Sequence, residues 1–209
     1  VESGKRYLDA GDTGISAASF EVARLAVGGV LNAVDAVMDG RVRNAFCAVR
    51  PPGHHAVRDR AMGFCLFNNV AVATRYIQRT HRLEKVLIAD WDVHHGNGTQ
   101  EVFYGDPQVL YFSIHQWPFY PGSGNACEKG AGKGEGYTIN VPVERGAGDD
   151  VYVKAFTDEL APAAVAFNPD FVIISAGFDS YERDPLGGMK LTVDGFAALT
   201  GIVKRIAET

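Results

Sequence analysis

Between residues 16 and 39 the apolar side chains Val22, Val27, Val30, Leu31, Val34 and Val37 recur every three or four positions. That spacing predicts one packed helix, with Ser16 and Ser19 as capping residues and Gly40 as the stop. A short apolar run, 45–49, predicts a strand that breaks at Arg50-Pro51-Pro52-Gly53, where two prolines end regular structure ahead of His54 and His55. The alternation then repeats. Residues 67–80 predict a helix, 86–89 a buried strand, 90–98 a polar glycine-rich loop and 99–104 the helix it opens. A strand over 109–114 ends at His115, and a long Gly- and Pro-rich loop over 117–136 leads to a strand over 137–141. Residues 150–167 predict a helix kinked at Pro162, 171–176 a buried strand and 180–190 a loop, with Thr192 capping a final helix through Val203.

Strands that are apolar throughout, separated by helices, point to a predominantly parallel sheet flanked by helices on both faces, an α/β fold. In such sheets ligands bind at the carboxyl ends of the strands. Composition adds that the 209 residues, 46% hydrophobic and 22% charged, suit one domain over 1–209. A net charge of -5 with scattered Lys and Arg gives no basic stripe for nucleic acid. No run approaches the roughly 20 apolar residues of a membrane span. Cys47, Cys65 and Cys127 are odd in number and lack C-x-x-C spacing, which argues against a disulfide framework and for a reducing, cytoplasmic setting. Oligomeric state is left open, homo-oligomers included.

Four predicted strands end in reactive residues: His54-His55, Asp90 through His95, His115 and Asp179. In Asp90-x-Asp92-x-His94 an extended backbone sends both carboxylates and the imidazole to one side. Asp179, reaching the same rim, completes two carboxylates and one imidazole and leaves a position open for water, as catalytic zinc requires. Spacing alone does not choose between Asp90 and Asp92. Taken by itself, Asp-x-Asp-x-His-His reads equally well as a loop with helix-capping aspartates. His54 and His55, following a rigid turn, offer a general base and a general acid. Cys65 reads as a buried apolar residue, His115 as structural and His81 as solvated. Phe64, Phe119 and Tyr120 stand in loops beside Gly or Pro, where ordinary packing and an aromatic channel are equally compatible.

The motifs Arg50 through Ala56, Gly63 through Asn69, Asp90 through Gly98, Tyr120 through Gly124, Ser175 through Asp179 and Asp184 through Gly188, in this order, resemble the histone deacetylase family. Its bacterial deacetylase-like and acetylpolyamine amidohydrolase members are included, and Asn97 with the loop 117–124 looks more like class II than class I. The resemblance covers most of the chain from about Ser16. It implies an arginase/deacetylase-like three-layer fold with zinc held by Asp92, His94 and Asp179. It further implies that Asp90 orients His54 and, with Ser113, Ile114 and backbone groups of Asp92 and His94, holds a structural potassium ion. A second monovalent site would use Phe103, Asp106, Val109 and Tyr137. Asn97 would stand behind His55, Phe64 and Tyr120 would flank an acyl-lysine channel, and Gly63 and Leu186 would line it.

The implied reaction is deacetylation of an acetylated lysine peptide, a polyamine or a small acetylated amine. Zinc would polarise the acetyl carbonyl and lower the pKa of water toward about 7. His55 would take the water proton and pass it to the leaving amine, while a cationic His54 stabilises the oxyanion. The family's further oxyanion donor, a Tyr or His in a Gly-rich loop, is expected beyond residue 209. The rim loop ahead of the chain is expected to be missing as well, so a domain truncated at both ends is the expectation. Two rivals remain at this stage: an arginase-type two-metal hydrolase, and a catalytically weak deacetylase-like module that binds acyl groups or scaffolds partners.

Overall fold

Small residues decide how the first long helix packs. In α1 (Ser19–Met38) Ala23, Ala26 and Val34 are buried along one face, and this helix packs on α2 (Asn69–Tyr76). The computed structural model describes residues 6–9 and 11–209, so the chain start at Val1 lies outside the described residues. These residues divide into two compact units: the described part of Val1–Leu83 with Asn97–Val102, and Glu84–Gly96 with Phe103–Thr209.

In the first unit the Asn68 side chain caps α2 by accepting a hydrogen bond from the Ala71 amide at 3.0 Å, and its amide nitrogen donates to Thr99 Oγ1 at 3.1 Å. A π-helical turn, Ile77–His81, continues α2 and stops at Arg82, whose φ is 61°. Asp35 of α1 accepts hydrogen bonds from Tyr76 Oη at 2.9 and 3.1 Å, and His81 Nε2 lies 2.8 Å from its Oδ1. One carboxylate of α1 thus ties down α2 and its π turn.

The second unit is built on four parallel strands, β1 (Val86–Asp90), β2 (Val109–Gln116), β3 (Thr138–Val143) and β4 (Phe171–Ser175), in the order β3-β2-β1-β4. Asp90 pairs in register with Ser113 on one side and Ser175 on the other. Leu87, Ala89, Leu110, Phe112 and Ile114 enter a core with Tyr152, Phe156 and Leu199, from α4 (Asp149–Ala155), the following π turn (Phe156–Leu160) and α6 (Val193–Ala207). Each Leu, Ile and Phe among them contributes about 1.5–3 kcal/mol when fully buried. Val86, Ile88, Val109 and Tyr111, which alternate with them, are buried too. That explains the unbroken apolar runs. Thr192 caps α6 through a 3.1 Å bond to the Gly195 amide and donates its own hydroxyl to Asp149 at 2.6 Å.

Several expectations change. Residues 45–49 form no strand; they are irregular and mostly exposed, because an apolar run becomes a strand only when a neighbouring backbone pairs with it. Neither Ser16 nor Ser19 caps α1, whose cap position is Ala18; instead Ser19 Oγ accepts from the Ser16 amide at 2.9 Å. Helix 150–167 runs continuously as α4, the π turn and α5 (Ala161–Phe167), and its irregularity is the π turn that immediately precedes Ala161 and Pro162. His81 is not simply solvated, since Asp35 holds it. Cys47, Cys65 and Cys127 are all free thiols. Among the described residues no helix is long and apolar enough to cross a membrane.

The hydrogen bonds from His81 and Tyr76 hold the Asp35 carboxyl below its ordinary 3.8. A carboxyl depressed by folding stabilises above its unfolded pKa and loses that effect as pH falls through the folded one. Asp35→Asn should therefore unfold at lower denaturant than the parent protein at pH 7, and the gap should begin to narrow as pH falls below 3.8. Equilibrium denaturation at pH 7 and pH 3 checks this.

Candidate metal centre and the tandem histidines

Where β1 ends, the chain turns out of the sheet, and backbone donors fix the carboxylates around it. The His94 amide donates to Asp92 Oδ1 at 2.8 Å, and the Val93 amide donates to Asp179 Oδ1 at 2.9 Å. Gly177 lies against Asp92 so closely that any Cβ there would strike the carboxylate. His94 Nδ1 stands 3.0 Å from Asp92 Oδ1 and 3.1 Å from Asp179 Oδ2.

One donor atom from each of Asp92, His94 and Asp179 lies within 4.8 Å of the others. Ligands about 2 Å from a tetrahedral ion stand about 3.3 Å apart, close to the 3.0 and 3.1 Å separations of His94 Nδ1 from the two carboxylates. Burial opposes a charge on His94, but the bonds to Asp179 and Asp92 outweigh it and hold the imidazolium up to about 10. Burial raises the Asp179 carboxyl above 3.8, Asp92 adds to the rise, and His94 opposes it. The three groups together keep a proton that a cation would replace. Two carboxylates and one imidazole are a donor set zinc accepts, and three protein donors leave a fourth position free. The donor set fits.

Asp90 is outside this group. It is buried at the end of β1, accepts the Tyr111 hydroxyl at 3.2 Å and receives the Asp92 amide at Oδ1, also at 3.2 Å. Ser113 Oγ pairs with His115 Nδ1 at 2.9 Å, and Ile114 is buried beside it on β2. Phe103 ends α3 (Asn97–Phe103), Asp106 lies in the turn after it, Val109 opens β2, and Tyr137 precedes β3, its carbonyl accepting from the Tyr111 amide at 2.9 Å. Leu186 is exposed, in a turn whose Leu186 and Gly187 amides donate to Asp184 Oδ1 at 2.8 and 2.7 Å.

Phe119, which its place in a loop left open between ordinary packing and an aromatic channel, meets the cluster directly. Its ring stacks on His94 at 5.0 Å with planes 12° apart, while Tyr120 meets the same imidazole edge-on at 6.0 Å. The loop carrying both is fastened by two further histidines. His95 Nδ1 pairs with Ser123 Oγ at 2.8 Å, and His115 Nε2 donates to the Gly124 carbonyl at 2.9 Å. His115 is thus structural. Asp-x-Asp-x-His-His gave no hint of this second histidine's partner, because it lies 28 residues away.

In the first unit His54 and His55 are buried, with rings 4.0 Å apart. The His54 carbonyl accepts from the amides of Gly98 and Thr99 at 2.9 and 3.2 Å, which pins the histidine loop to the start of α3. His55 Nδ1 lies 2.8 Å from Asn97 Oδ1. Gly63, at φ 55°, packs against the His55 ring where a side chain would collide. Phe64 adopts φ 64°, a left-handed backbone that costs a bulky residue about 1–2 kcal/mol, and leaves its ring 55% exposed. Its amide donates to Thr13 Oγ1 at 3.2 Å.

Residues 2–209 match the family model described as histone deacetylase domain. The chain is 48% identical to the polyamine deacetylase HDAC10 of Rattus norvegicus over 90% of its own length and 33% of that protein. It is 42% identical to a probable deacetylase of Archaeoglobus fulgidus, covering all of this chain and 58% of that one. A histone deacetylase-like amidohydrolase of Pseudomonas aeruginosa is 42% identical, again over the whole chain and 57% of the relative. The crystal structure of the HDA15 HD domain superposes with a TM-score of 0.93 at 48% identity, covering 97% of this chain and 58% of that one. The chain thus spans a third to under two thirds of these relatives.

Titrated with zinc after chelation, the protein should bind one ion per chain in calorimetry, and Asp179→Ala should weaken binding at least about a hundredfold. Phe64→Gly should raise stability by about 1 kcal/mol in chemical denaturation, because glycine carries no Cβ into the left-handed region.

Proposed function

The chain belongs to the histone deacetylase family, and we propose that it binds zinc through Asp92, His94 and Asp179 and hydrolyses the acetyl amide of N-acetyl-lysine or a related acetylated amine. The observation that carries the reading is the three-donor cluster itself, two carboxylates and one imidazole with a coordination position to spare. When bound, zinc would polarise the acetyl carbonyl and acidify water toward about pH 7.

The tandem histidines supply the proton chemistry in this reading. Asn97 presents its carbonyl oxygen to His55, and its amide nitrogen approaches Met62 Sδ at 3.5 Å, which fits that orientation of the amide. An oxygen acceptor at Nδ1 keeps the hydrogen there and leaves Nε2 with its lone pair, the form a base needs. An amide behind the imidazole also adds no negative charge that would hold a second proton. His55 therefore takes a proton from water and returns it to the leaving amine. His54 stabilises the negative charge developing on the carbonyl oxygen.

For substrate, the exposed Phe64 ring offers a flat apolar face for an aliphatic chain, and the family resemblance assigns Gly63, Tyr120 and Leu186 to substrate binding as well. Relatives named as polyamine deacetylase and as deacetylase-like amidohydrolase support small amines as well as lysine peptides as candidates. Potassium belongs to the same reading: Asp90, register partner of Ser113, offers a buried carboxylate beside the hydroxyl and the Ile114 backbone. Phe103, Asp106, Val109 and Tyr137 would serve the second monovalent ion.

Zinc-loaded protein should release acetate from an acetyl-lysine peptide or from acetylated polyamines, and the ratio of the two names the substrate class. Asp179→Ala should abolish release, and His55→Ala should lower kcat by about a hundredfold or more while one zinc stays bound. Zinc binding without acetate release from either substrate would replace catalysis with acyl-group binding.

A further inference from the structure

The first unit carries a groove of about 760 Å³ that the chemistry above does not use, within the ~300–1,000 Å³ range of ligand clefts. Its floor is apolar, with Leu31, Leu66, Phe67 and Val102 among the lining residues. Its edges are cationic. The loop after the tandem histidines contributes Arg58 and Arg60, held in shape by backbone pairing of Val57 with Arg60, while α2 and its π turn contribute Arg75 and Arg79.

A chain with net charge -5 has gathered four guanidiniums here against the single lining carboxylate of Asp59. Arg75 donates to Gln78 at 2.8 Å and Arg60 reaches Met62 Sδ at 3.8 Å. Glu101 is engaged by the Arg58 backbone amide, and Asp35 by Tyr76 and His81. Arg58, Arg60 and Arg79 form no ion pair among the described residues, and all three are exposed. Exposed guanidiniums such as Arg58, Arg60 and Arg79, which form no ion pair among the described residues, gain from an anionic ligand, and Arg clusters are a recurring means of recognising acidic peptide motifs.

We propose that this groove docks an acidic peptide segment carrying a large apolar residue. The apolar side chain occupies the floor, and flanking Glu or Asp carboxylates pair with the arginines. Arg75 and Arg79, four positions apart on α2 and its π turn, both line the groove and present charge to the same segment. The partner is a protein segment rather than a metabolite because charge stands on both contributing elements with an apolar stretch between them.

The test is fluorescence anisotropy with a labelled peptide of two glutamates, one phenylalanine and two glutamates, flanked by glycines. Binding should saturate and weaken as salt rises. Arg60→Glu with Arg79→Glu should weaken it by about tenfold or more, whereas Lys133→Glu with Lys204→Glu, the same change of net charge elsewhere, should leave it within about twofold. Replacing the peptide's phenylalanine by serine should cost about tenfold. Arg60→Ala with Arg79→Ala, which adds no repulsion, must weaken binding in the same direction, and thermal melts must show both variants folded. Failure to saturate, equal loss from the two reversal pairs, or unchanged binding of the serine peptide would each overturn the proposal.

Discussion

Two carboxylates and an imidazole held within hydrogen-bonding distance at the end of a parallel sheet are the constraint around which the second unit is arranged. Left without a positive charge between them, Asp92 and Asp179 would repel each other in a half-buried site. Backbone amides of His94 and Val93, spent on these carboxylates rather than on a helix or sheet, fix them in place. The sheet makes that possible. Because β4 lies beside β1 in parallel, Asp179 arrives at the same strand end as Asp92 and His94 despite standing more than eighty positions later in the chain.

Support for this cluster reaches outward through aromatic and histidine contacts. Phe119 covers one face of the His94 ring, and the loop that carries it is tied down by His95 to Ser123 and by His115 to Gly124. A ligand imidazole that cannot rotate presents one nitrogen in one direction, which is what a metal centre requires of its surroundings. The first unit shows the opposite balance at Phe64, where backbone strain accompanies an exposed ring. Stability given up at such a position is a common mark of a binding surface.

Much of this was legible from periodicity and short motifs. Apolar runs located β1, β2, β3 and β4 to within a few residues, most plainly β1 and β2, whose burial at every position leaves an unbroken signal. The pattern Asp90-x-Asp92-x-His94 marked the cluster, but spacing left two aspartates eligible; only the turn after β1 separates them, sending Asp90 to Tyr111 and Asp92 to His94. Residues 45–49 misled because strand pairing is a property of neighbours, not of composition. His81 misled for the same reason, its partner Asp35 lying on another helix 46 residues earlier. Phe119 stood out as a loop aromatic, but its stacking on His94 did not, because ring stacking leaves no trace in local spacing.

The central claim is that one zinc ion is held by Asp92, His94 and Asp179, and zinc K-edge X-ray absorption on the loaded protein tests it most directly. The account predicts only nitrogen and oxygen neighbours at about 2.0–2.2 Å, with the imidazole scattering of a single histidine. Sulfur at about 2.3 Å, or a second metal at about 3.5–4 Å, would contradict it.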